Sequence, residues 1–214
     1  MKNKFGKLMT ASLLISGITL FTSCEENKKA ENEEKDPKEV AEDHNDAKFN
    51  KNKEKDAQLL VDAAEMSLKE IKVGELAQKT AVSAEVKKMG QKMATEHKKS
   101  LDEISKIAEK KMITVPKETS EESEKDYKSL MEKTGKEFDK HYCDMMVDDH
   151  KDAVDKFEKA STDSEDYEIK SMAGKMLPTL RTHLDEFMTL QEKEKEKDKD
   201  NTSAKDKNTT TDKK

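Results

Sequence analysis

The sequence predicts an all-α protein, an antiparallel four-helix bundle built from two helical hairpins and flanked by disordered, charged tails. Three observations lead there. Charged residues make up 42% of the chain and aromatics only 4%, with no Trp and three Pro, a balance that excludes an all-β sandwich and favours helices with solvated segments. Four stretches between residues 56 and 191 carry apolar residues at helical spacing. Short connections at 81–83 and 161–163 then make each consecutive pair of helices antiparallel.

The first stretch, 56–80, places Leu59, Ala63, Met66, Glu70, Val73 and Ala77 on one face. The second, 84–110, does so with Val86, Met89, Met93, His97, Leu101, Ile104 and Ala108. A loop holding Pro116 and a short helical approach over 123–134 follow, with Gly135 as the break. The third helix, 136–160, aligns Phe138, Tyr142, Met146, His150, Ala153 and Phe157. The fourth, 164–191, aligns Ile169, Met172, Met176, Leu180, His183, Phe187 and Leu190. Residues 86–93 match 169–176, and Leu101 to Ile104 match Leu184 to Phe187 at the same offset, so the hairpins read as copies. Chance likeness between two Lys-rich amphipathic helices is the alternative.

The two ends differ in kind. Lys2, Lys4 and Lys7 precede an apolar run from Leu8 to Phe21. That run is shorter than the ~20 residues a membrane-spanning helix needs and has the make-up of a secretory signal. Leu20-Phe21-Thr22-Ser23-Cys24 resembles the lipobox cut by the lipoprotein signal peptidase, with Phe21 where an aliphatic residue is usual. The resemblance implies that residues 1–23 are removed and that Cys24 carries the lipid. The alternative is ordinary cleavage that leaves a free Cys24. Residues 24–55 are rich in Glu, Lys, Asn and Asp, with Val40 and Phe49 the only large apolar side chains, which predicts a disordered tether. Residues 192–214 have the same character. The second cysteine, Cys143, sits among apolar neighbours and is expected to be a buried thiol.

Several motifs together resemble a ferritin-like family of exported bacterial domains of unknown function, often labelled putative outer-membrane proteins. They are Met66-Ser67-Leu68-Lys69-Glu70-Ile71-Lys72-Val73-Gly74, Met93-Ala94-Thr95-Glu96-His97, Met145-Met146-Val147-Asp148-Asp149-His150, and Leu177-Pro178-Thr179-Leu180-Arg181-Thr182-His183-Leu184. The resemblance spans residues 56–191 and implies a four-helix fold and an envelope location, with the outer membrane expected and the leaflet open. It supplies no activity. Lys72 stands where the family usually has an acidic residue.

Glu70, His97, His150 and His183 each fall in register with an apolar stripe. Measured from the connecting turns, the first three lie about 18–22 Å along the bundle and His183 about 30 Å, at 1.5 Å per residue; a kink at Pro178 would shorten the last distance. The simplest expectation makes the histidines hydrogen-bonded core residues. The rival makes them, with Glu70, ligands for zinc or iron. Copper is a third candidate, since Met89, Met93 and Met146 bring soft sulfur beside His97 and His150. The Glu-x-x-His pairs of di-iron bundles are missing, because Ala94, Val147 and Leu180 precede the histidines by three.

No nucleophilic triad and no phosphate loop can be assembled from the sequence, and a net charge of −6 argues against nucleic acid as a partner. The leading expectation is therefore a non-catalytic lipoprotein of the cell envelope, held to a membrane through Cys24. Its bundle binds a protein partner or serves as a stress-related structural module. The alternative is a metal-binding bundle.

Overall fold

A computed structural model describes residues 35–208, with side-chain surroundings from Lys35 to Glu196 apart from Asn52. The expected signal at 1–23, Cys24 and the outer parts of both tails lie outside the described residues. The described residues form six helices: α1 (Pro37–Asp46), α2 (Lys51–Thr80), α3 (Ala84–Lys111), α4 (Glu121–Met131), α5 (Gly135–Asp163) and α6 (Tyr167–Asn208). None is long and apolar enough to cross a membrane.

The four long helices are the predicted bundle. α2 and α3 form one hairpin and α5 and α6 the other, with α2 against α5 and α3 against α6. The chain runs up, down, down and up, so every neighbouring pair is antiparallel and one long crossover, carrying α4, joins the hairpins. Residues 81–83 make the first turn, as expected. There the backbone N–H groups of Val82 and Ser83 donate to the buried Asp139 carboxylate of α5 (2.9 and 2.7 Å). The second turn comes three residues later than expected, at 164–166. The Asp166 carboxylate accepts from the N–H groups of Glu168 and Ile169, the role of a helix N-cap.

The largest departure is at the N-terminal side. The segment expected to be a tether contains α1 and the first turn of α2. Asp36 caps α1 by accepting from the Lys38 N–H (2.8 Å), and Pro37 occupies the start of the helix, where its missing N–H costs nothing. Its other carboxylate oxygen accepts from the Glu121 N–H (2.7 Å) and ties the start of α4 to the same residue. α1 is anchored by Ala41 and Asn45, both buried. Asn45 exchanges two 2.9 Å hydrogen bonds with the backbone of Thr114 in the crossover. Small and amide side chains do here what the sequence reading asked of large apolar ones.

At the other end α6 continues beyond Gln191 to Asn208. Glu194 is buried and Lys193 pairs with Glu85. Alternating Lys and Glu are good helix formers, so the composition read as a disordered tail extends the helix instead.

The core is in two apolar layers. One holds Leu60, Ala64, Ile104, Phe157, Ile169 and Leu177; the other holds Val73, Met93, Phe138, Tyr142, Met146 and Phe187. In every long helix the residue between the two layers is polar: Glu70, His97, His150 and His183.

Helices α2 and α3 touch backbone to backbone. A Cβ added at Gly74 would stand 2.7 Å from the Gly90 carbonyl oxygen, and one at Gly90 the same distance from that of Gly74. Only glycine at both positions permits the approach.

Candidate metal centre

The polar layer brings together all four residues that the sequence singled out on helix faces. Glu70 and His150 have no exposed surface, and His97 and His183 only 2% each. His183 reaches the level of the others although it is three residues further from its turn: it is the seventeenth residue of α6, while His150 is the fourteenth from the end of α5. That offset is about 4.5 Å at 1.5 Å per residue. Side chains lean toward the N-terminus of their own helix. On antiparallel neighbours they therefore lean in opposite directions, and the rings close the gap.

One nitrogen from each of His97, His150 and His183 lies within 4.8 Å of the other two. The ring centroids are 5.3 to 5.7 Å apart. Glu70 touches two of the rings, with Oε2 2.8 Å from His97 Nε2 and Oε1 3.5 Å from His150 Nδ1. The first contact is close but poorly aligned: neither Glu70 oxygen and neither His97 nitrogen has a hydrogen bond of good geometry. Buried polar atoms are seldom left so.

The remaining contacts fix two tautomers. His150 Nδ1 lies 2.9 Å from the Met146 carbonyl oxygen. A carbonyl can only accept, so Nδ1 carries the hydrogen and Nε2 a lone pair. His183 Nε2 lies 2.7 Å from Glu96 Oε2, so in the neutral ring its Nδ1 carries the lone pair. These two nitrogens, His150 Nε2 and His183 Nδ1, face each other at 3.3 Å. Burial pushes His150 down, with neighbouring His97 adding to the effect against the pull of Glu70. It pushes His183 down to about 4 despite its hydrogen bond to Glu96. In their neutral forms the two rings set lone pair against lone pair at that distance, an arrangement that a proton or another cation between them relieves.

The other pair behaves differently. Burial opposes charge on both partners, but mutual attraction outweighs it. Glu70 is held well below the usual carboxylate range by His150 and His97, and His97 is raised by Glu70. A proton on His97 or a metal ion supplies positive charge beside Glu70 in this layer.

The 3.3 Å separation of His150 Nε2 and His183 Nδ1 suits a tetrahedral ion. With metal–nitrogen bonds of ~2.05 Å, two ligand atoms on a tetrahedron are about 3.3 Å apart. His150 and His183 each have their other nitrogen hydrogen-bonded to an acceptor, the Met146 carbonyl and Glu96, and His97 has Nε2 2.8 Å from Glu70. Metal-binding histidines are ordinarily oriented in this way. Glu96 is the residue that the stripe reading missed, because it lies one position from His97 and so about 100° around the helix. The methionines of the copper reading, Met89, Met93 and Met146, are buried in the apolar layer with Phe138, Tyr142 and Phe187. Cys143 is buried there too.

The fold and its polar layer define an all-helical domain with a histidine cluster in its core. A family model described as a domain of unknown function (DUF4142) matches residues 40–190, and the chain belongs to that family. The matched span begins inside α1. No curated protein and no solved structure matches the chain.

Proposed function

We propose that the protein is a lipid-anchored envelope protein whose ferritin-like bundle holds one transition-metal ion through His97, His150 and His183. Zinc or iron suits the imidazole set, and Glu70 and Glu96 orient the rings. The observation that carries this reading is the convergence of one nitrogen from each of His97, His150 and His183 to within 4.8 Å in a buried site, with His150 Nε2 and His183 Nδ1 3.3 Å apart. The up-down-down-up course with one long crossover supports the ferritin-like part. An apolar run ahead of Cys24 supports the anchor.

A second reading keeps the bundle as a non-catalytic scaffold for an envelope partner. It is favoured by the hydrogen bonds that His150 and His183 already make to the Met146 carbonyl and Glu96. Thermal melts separate the two. With zinc or ferrous iron at a hundredfold excess over Kd, the wild type gains about 2.7 kcal/mol over the chelated protein, and His150→Gln and His183→Gln lose that gain. Identical wild-type melts with metal and with chelator would leave the scaffold reading standing.

A further inference from the structure

His97 and His183 also form the floor of a cavity. It has a volume of about 240 Å³ and opens between α3 and α6. Met66, Ile104, Phe157 and Leu180 line it with apolar surface, and the exposed Lys99 and Lys175 stand in its wall with Ser100, Glu103 and Thr179. His150 is not part of the lining. The volume is below the ~300–1,000 Å³ of drug-sized ligand pockets, so the space suits a small ligand.

The ligand count points the same way. Glu70 lies against His97 and Glu96 is hydrogen-bonded to His183; with the carboxylates in those places the ion has three imidazoles as donors. Three-histidine ions characteristically keep a further position for water or another ligand. A divalent ion with three imidazoles is balanced overall by Glu70 and Glu96, but its open coordination position is still a point at which an anion can bind. Lys99 and Lys175 have no ion pair among the described residues and supply the positive potential at the cavity, with Glu103 opposing it.

We infer that the ion's fourth position faces this cavity and takes a small exogenous monoanion, which reaches it between α3 and α6 past Lys99 and Lys175. This rests on the metal reading given above. A small anion such as azide fits the space, between the apolar side chains of Met66, Ile104, Phe157 and Leu180 and the lysines.

Cobalt(II) and azide test it, because cobalt's visible bands report both its binding and its coordination. The purified full-length protein, in detergent, is loaded with cobalt and titrated with azide. A saturable band shift is the expected result. In Lys99→Gln/Lys175→Gln, azide binding should weaken by about two- to fivefold at low salt, with the difference fading at high salt and cobalt affinity unchanged. Filling the cavity by Ser100→Trp, or at the exposed Thr179 by Thr179→Phe, should abolish the azide response while the cobalt bands remain. Cobalt bands that ignore azide in the wild type would overturn the inference and leave the metal centre intact. An azide response that survives in both filled variants would overturn the route. Failure to bind cobalt at all would bring down the inference together with the metal reading.

Discussion

Glu96 shows how far a single residue can escape a periodicity argument. Its neighbour His97 was legible because it interrupts an apolar stripe with a polar ring, and the same signal marked Glu70, His150 and His183. Glu96 lies off that stripe and looks like one more solvated acid in a chain full of them. Its role depends on a contact with another helix, the 2.7 Å approach to His183 Nε2, and nothing local encodes that. The axial position of His183 was misjudged for a related reason: counting residues from a turn locates Cα atoms, whereas ligand atoms sit at the ends of side chains that lean toward one another. If Glu96 orients His183 for a metal, Glu96→Gln should weaken zinc binding by about 10- to 100-fold, measured by competition with a coloured chelator. An unchanged affinity would reduce Glu96 to a surface acid.

The glycine contact sets the geometry of the first hairpin. Gly74 lies one turn after Glu70 and Gly90 two turns before His97, so the crossing fixes which residues of α2 and α3 meet in the polar layer. Glycine inside a helix costs about 1 kcal/mol relative to alanine, which makes two facing glycines an expense that only close packing offsets. In Gly90→Ala the added methyl would meet backbone, not a movable side chain. The expected loss is about 1–3 kcal/mol, or roughly 2–4 °C per kcal/mol for a domain of this size, read by thermal melting in chelator. A midpoint equal to wild type would show that the helices separate without cost. The four long helices were legible because each carries a broad apolar face. α1 was not, since its anchors are Ala41 and Asn45 and its caps come from Asp36, a residue type abundant throughout the region. Gly135 was read correctly as a break: it is the first residue of α5 and has φ +61°.

The whole chain joins a packed helical domain to an N-terminal segment whose part in the protein is proposed from sequence. Cys24→Ala should move the protein from the membrane to the soluble envelope fraction or the medium; continued partition into detergent would count against lipidation. The same scale gives the polar layer a further meaning. Each hairpin packs mainly on itself, from helices close together in sequence, and local contacts of that kind form early in folding. The histidines are divided between the halves, His97 on the first hairpin and His150 and His183 on the second. Neither half alone can complete the cluster, so it comes into being only when the hairpins dock. An ion bound there would fasten two units that had already formed. Its departure would loosen their docking before it unravelled either one, and the last event of folding and the first of unfolding would occur at the same four side chains.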